Sequence, residues 1–432
     1  MKGDKSMIGE NELAALEKEL NSPNQQLRAN ALSELNDLRL AHKVPLLDSG
    51  DAYNLHCHTI YSYNGYNFSP SYIAWLSCKS GWFAAGIVDF DVLEAVNEFL
   101  KASRLLAIRA VCGMETRAFI HELADKEINS PGEPGVAYHM GVGFTSSTVP
   151  ADEAAFAASL KKTAADRTRR IVELVNPFLA PASLDFEKDA AALTPCGNVT
   201  ERHVCYAYRL KAEELFTNPV ERAEFWSEKL GCSLDDAIKL VNDPVKLEAQ
   251  IRAKTMKKGG PGYVPADPRS FPALADMNRF VKACGAIPTI AWLNGDSPGE
   301  ADPGALLDLH IRHGAAMLNI IPDRNWNFKD EELRRKRVQE LNRIIGAAIQ
   351  RNMPVIVGTE MNAPGLKLVD DFDCDALAPH VETFVEGAAI ATAHTILQPQ
   401  GQGYLSEWAQ THYPDLAERN KFFAAYGREH TL

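Results

Sequence analysis

At 432 residues and a formal net charge of −12, the chain is too acidic to favour long polyanions as partners, because neutralising phosphates takes a basic surface. Its 46% hydrophobic content suits a protein with a real core, and no apolar run approaches the ~20 residues a membrane-spanning helix needs. The charged, amphipathic start lacks a signal-peptide core and the eight cysteines form no CxxC pair, so reduced thiols and a cytoplasmic location are expected.

Residues 8–42 place leucines at three- and four-residue spacing, interrupted by the turn signal NSPN, which predicts a helical hairpin packed on the main body. From residue 52 strand-like runs alternate with helical ones. AYNLHCH, AAGIVDF, IRAVCGMETRAF and VAYHMGVGF read as strands, with PSYIAWLSCKSG and DVLEAVNEFLKASRLL as helices between the first three. AIPTIAWL, AAMLNIIPD and PVIVGTE follow later, again spaced by helices. Strands alternating with helices predict a parallel sheet, and seven of them suit a closed α/β barrel better than an open doubly wound sheet, the second choice. Residues 150–280 break the rhythm with mostly helical segments. They end in KTMKKGGPGYVPADPRSFP, a glycine- and lysine-rich stretch that reads as a surface loop or a lid. The organisation expected is a helical segment over 1–50, a barrel over 51–210 and 280–400, a helical cap over 211–279 and a helical tail over 401–432.

Chemistry concentrates at the strand ends. His56 and His58, at i and i+2, project from one face of a strand and can converge on a single metal ion at about 2.0–2.1 Å. Asp89 ends the second strand, Glu115 lies near the third, His139 within the fourth, and Glu360 closes a late strand with Asn362 two residues on. Barrel enzymes build their sites at the C-terminal ends of strands, and imidazoles with carboxylates suit zinc, manganese or iron. Arg117, two residues after Glu115, can face the same mouth and hold an anionic group, or form a surface salt bridge. His310 and His313, at i and i+3 of a helix, have no third ligand near in sequence and read as structural.

The segment from NLHCHTIYSYNG through GIVDFD to CGMET resembles the opening of the PHP (polymerase and histidinol phosphatase) superfamily, whose pattern is HxHTxxSDG, a TDHDT-like turn and then GxE. The resemblance continues at YHMGVGF, NVTERHVCYAYRL, IPTIAWL and VGTEMNAPG, covering roughly residues 52–210 and 280–365. It implies a distorted (β/α)7 barrel that carries up to three metal ions and hydrolyses phosphate esters. His56, His58 and Glu115 match the family's metal ligands, His139 matches the histidine after the fourth strand, and Glu360 stands where the family has an aspartate. His203 matches a histidine close to substrate. Three ligand positions depart, being filled by Phe90, Trp292 and Asn362, of which the first two cannot ligate. One or two divalent ions are therefore expected. The function expected is metal-dependent hydrolysis of a small anionic molecule, a phosphate ester first of all, through a metal-activated water with Asp89 or His203 moving a proton, and those losses weaken the inference to ordinary phosphatase activity. The alternatives are a binding or regulatory protein without turnover, and a different hydrolase or lyase chemistry in a remodelled site.

Overall fold

The computed structural model describes residues 7–265 and 270–432. Among them, seven strands form one sheet in the order β1-β2-β3-β4-β5-β6-β7: β1 (Asn54–Cys57), β2 (Ala85–Phe90), β3 (Ala110–Phe119), β4 (Val136–Val142), β5 (Ile287–Trp292), β6 (Met317–Ile320) and β7 (Val355–Val357). The helices are α1 (Glu10–Glu19), α2 (Gln25–Leu40), α3 (Pro70–Lys79), α4 (Val96–Leu106), α5 (Ala154–Leu179), α6 (Glu201–Leu215), α7 (Pro219–Leu230), α8 (Leu234–Val241) and α9 (Pro244–Thr255). After them come α10 (Leu274–Ala283), α11 (Pro303–Arg312), α12 (Asp323–Trp326), α13 (Glu331–Ile349), α14 (Val381–Leu397), α15 (Glu407–His412) and α16 (Leu416–Glu429). None of the described helices is long and apolar enough to cross a membrane.

The sheet corrects one expectation. β1 to β3 and β5 to β7 run parallel, but β4 is antiparallel to both β3 and β5. A parallel neighbour needs a crossover, usually a helix. Residues 120–135, between β3 and β4, hold only the three-residue 3-10 turn His121–Leu123 and a Pro-Gly turn region, so the chain folds straight back.

The sheet is nearly closed. Beyond β7, an isolated parallel bridge joins Glu360 to Cys57 of β1. Asn54 strengthens this seam, its Nδ2 donating to Thr359 Oγ1 (2.7 Å) and Leu368 O, while its Oδ1 accepts from the Thr359 and His56 amides. Gly358 is required for the approach, since a Cβ there would lie 2.5 Å from the His56 amide nitrogen and from Asn54 Oδ1. The main core lies around this sheet, from Leu55 and Val88 through Ile290, Leu318 and Ile356 to Phe384 and Ala388 of α14 and Phe423 of α16. The N-terminal hairpin is tied to it by Arg28 of α2, whose guanidinium grips the buried Glu98 of α4.

The chain divides into two compact units. The sheet unit comprises residues 1–60, 64–157 and 271–432. A helical unit of residues 158–270, joined by 61–63, has its own core of Ile171, Val175, Tyr208, Trp226 and Ile251. The helical cap expected over 211–279 overlaps this unit through residue 270. At its end, Gly260 and Gly262 donate backbone hydrogen bonds to Lys257 and Thr255 in a tight turn after α9. The rest of the expected lid, residues 266–269, lies outside the described residues.

Candidate metal centre

β1 carries His56, and His58 follows directly after it. The two-residue pleat brings both rings to one side, with centroids 5.2 Å apart. Glu115, on β3, reaches between them from two strands away. Its Oε2 lies 3.5 Å from His56 Nε2 and 3.3 Å from His58 Nε2. The three side chains are 1%, 0% and 4% exposed, and their ligand atoms all lie within 4.8 Å of one another.

Charge is concentrated here. Burial alone would raise the Glu115 carboxyl, but the two imidazoles outweigh it and hold it down at about 2. Burial likewise opposes the His56 imidazolium, yet Glu115, Glu360 and Asn319 together raise its pKa above the usual value. His56 Nε2 is buried with no hydrogen-bond partner. A buried ring nitrogen with no hydrogen-bond partner beside an ionised carboxylate is a donor pair that a cation between the two would complete.

Asn319 was not foreseen. It sits on β6, and its side-chain amide lies 3.2 Å from His56 Nδ1 while its Oδ1 is buried and unmet. Turning that amide by 180° exchanges N and O, lets Oδ1 accept from Nδ1–H, and leaves the Nε2 lone pair facing Glu115. The signal in the sequence was a lone asparagine within the apolar run MLNII.

The other expected residues are placed as follows. Phe90 stacks on His58 with centroids 4.2 Å apart, and Trp292 is buried with its Nε1 unmet. Asp89 accepts from both the Thr59 amide and Thr59 Oγ1, at 2.8 Å each, which fixes the chain just after His58. Glu360 lies outside the trio. Its Oε2 accepts from Arg324 Nη2 at 2.5 Å and from Asn362 Nδ2 at 3.2 Å. Arg117 donates to Glu133 Oε2 (2.9 Å) and lies over the Phe271 ring at 4.5 Å. It shares its face of β3 with Glu115, opposite Tyr138 of β4.

His139 is not brought to the trio. In the β3–β4 register Met140 stands across from Glu115, so its neighbour His139 points to the other side of the sheet. There Asn278 donates through Nδ2 to His313 O, which leaves its Oδ1 to accept from His139 Nε2 at 2.5 Å. Burial pushes the His139 imidazole down to about 4. In the unfolded chain it takes up a proton near the ordinary imidazole value of about 6.5, so its contribution to stability is present above that value and is lost as pH falls toward 4. His139→Gln should flatten the acid side of a urea-midpoint profile by up to ~1.4 kcal/mol per pH unit. An unchanged slope between pH 6.5 and 4.5 would contradict this placement.

His203 belongs to the helical unit. Its Nδ1 accepts from the Thr200 amide at 3.1 Å as half of a capping box at the start of α6, and Tyr63 meets its ring edge-on at 5.0 Å. Burial lowers its pKa to about 3.

No family model and no curated protein matches this chain. Among solved structures, it is similar to an amidohydrolase from Chromobacterium violaceum with bound sulfate and no metal, at 15% identity and a TM-score of 0.48 over 77% of this chain and 96% of that one. It is also similar to a candidate metal-dependent phosphoesterase from Bifidobacterium adolescentis, at 16% identity and a TM-score of 0.47 over 79% of this chain and 98% of that one.

Proposed function

We propose that this chain is a metal-dependent hydrolase, a divergent relative of the PHP superfamily on a distorted (β/α)7 barrel, acting on a phosphate ester of a small molecule. The observation that carries the proposal is the buried trio of His56, His58 and Glu115, converged within 4.8 Å. Two imidazoles and one carboxylate suit zinc, manganese or iron, in one or two ions. Bound there, a divalent cation supplies Lewis acidity to a hydrolysis.

The remaining work falls to the chain's own side chains. Asn319 orients His56, and Asp89, through Thr59, fixes the backbone beside His58. Arg117 is held by Glu133 and Phe271 on the Glu115 side of β3, where it can receive an anionic group. In this proposal Asp89 is a positioning residue and His203 a helix cap; neither is assigned the proton transfer.

A second reading, a metal-binding protein without turnover, is favoured by Phe90 packed on His58 and by Trp292 at a position where the resemblance puts a histidine. The test is a panel of phosphomonoesters and phosphodiesters, assayed after loading with Mn2+, Zn2+ or Fe2+. Release of inorganic phosphate that stops on chelation is expected. Stoichiometric metal with no turnover of any ester would favour the second reading, and failure to bind any of the three ions would sink both.

A further inference from the structure

We propose that Arg324 is a built-in placeholder for the metal, holding the Glu360 carboxylate that a bound cation would otherwise share. This rests on the metal-site reading above and adds to it a residue that sets the affinity of the site.

Glu360 is aimed by its backbone. Glu360 and Met361 have φ of 64° and 53°, the left-handed region that disfavours non-glycine residues. Two hydrogen bonds pin this turn to the chain leaving β1: the His58 amide donates to Glu360 O (2.8 Å) and the Gly65 amide to Met361 O (2.7 Å). Glu360 therefore lies beside the chain at His58, and its charge is felt at His56. Yet its carboxylate is not among the converged ligand atoms, because the Arg324 guanidinium holds it at 2.5 Å.

Arg324 is suited to letting go. It stands on the short helix α12, just beyond β6, with its side chain 45% exposed against 11% for Glu360. Releasing it returns a partly exposed guanidinium toward water, whereas Glu360, buried and left without a cation, gains from a new one. The arginine also feels Glu115 and Tyr138, so it lies at the edge of the same charged cluster. The two cations are thus alternatives for one carboxylate. Binding of a divalent ion at the trio is opposed by the Arg324–Glu360 pair and is strengthened when that pair is removed at its arginine.

The experiment is a chelator competition measuring Mn2+ and Zn2+ affinity of the full chain, without reference to activity, for wild type, Arg324→Met, Glu360→Gln and the double variant. Arg324→Met should bind metal about tenfold more tightly, and Arg324→Lys should fall between it and wild type. In the Glu360→Gln background the arginine substitution should gain much less, because the contested carboxylate is gone and only the weaker field of Arg324 at Glu115 remains. Equal or weaker binding by a folded Arg324→Met overturns the proposal, as does an unchanged gain in the Glu360→Gln background. Should Arg324→Met fail to fold, Arg324→Lys alone decides in the same way. A wild type that binds neither ion overturns the metal-site reading itself, which is a separate result from bound metal with no arginine effect.

Discussion

Glu115→Gln should cut divalent-metal affinity on the order of 100-fold or more, beyond the 10–100-fold that losing an outer-shell partner costs. Glu115 is the one anionic member of the converged trio, and with its carboxyl held at about 2 it is ionised at every working pH. Glutamine keeps the shape and one oxygen but removes the charge that offsets the cation. Hydrolysis, where it is measured, should fall with metal content. Glu122→Gln is the matched control, an exposed carboxylate whose Oε1 meets His313 Nε2 at 2.7 Å away from the trio. His310 would serve less well, being buried beside His139. Full metal retention by Glu115→Gln, measured by chelator competition, would remove the basis for the site.

Glu98→Ala should destabilise the fold by about 3–5 kcal/mol, the usual cost of deleting one partner of a buried ion pair. Arg28 meets Glu98 in a two-pronged grip, Nε to Oε1 at 2.8 Å and Nη2 to Oε2 at 2.5 Å, with side chains 1% and 5% exposed. Ser71 Oγ adds a third hydrogen bond to Oε1 at 2.8 Å. Arg28 also donates to the Ser22 carbonyl at the turn between α1 and α2, so the pair fastens the hairpin to α3 and α4. Alanine leaves a guanidinium buried without its counter-charge. An Arg28→Met/Glu98→Leu pair, which removes both charges, should recover much of the loss. The check is the urea midpoint, and a shift worth less than 1 kcal/mol for Glu98→Ala would show that the pair does not fasten the hairpin.

How much of this could be read from the sequence follows from what each signal depends on. His56 and His58 were legible because their convergence is a property of one strand, and Glu115 because it follows an apolar run at a strand of the same sheet. The seven strand-like runs were also local signals, and all seven became strands. The direction of β4 was not legible, since it is set by how the chain turns between 120 and 135 rather than by the composition of VAYHMGVGF. That direction and its register decide which way His139 points. Asn319 and Arg324 were missed for a related reason. Each meets its partner, His56 or Glu360, across the sheet or between loops, where nothing in the spacing of residues announces the contact. Glu98 lay within a helical stretch with nothing to mark it, since its burial depends on a guanidinium seventy residues away.

The joint between β1 and β7 has a consequence for motion. Every other pair of neighbouring strands is paired at two or more positions, but among the described residues this joint has one bridge, the backbone hydrogen bonds from the His58 and Gly65 amides, and the side chain of Asn54. Sheets open first where they are least laced. The band of strands therefore has a clasp, and the clasp carries His56 and His58 on one side and Glu360 on the other. Unfastening it would part these groups while β2 through β6 stay paired. An ion seated there would in turn keep the clasp shut, making amide exchange at His58 and Thr359 slow in proportion to occupancy.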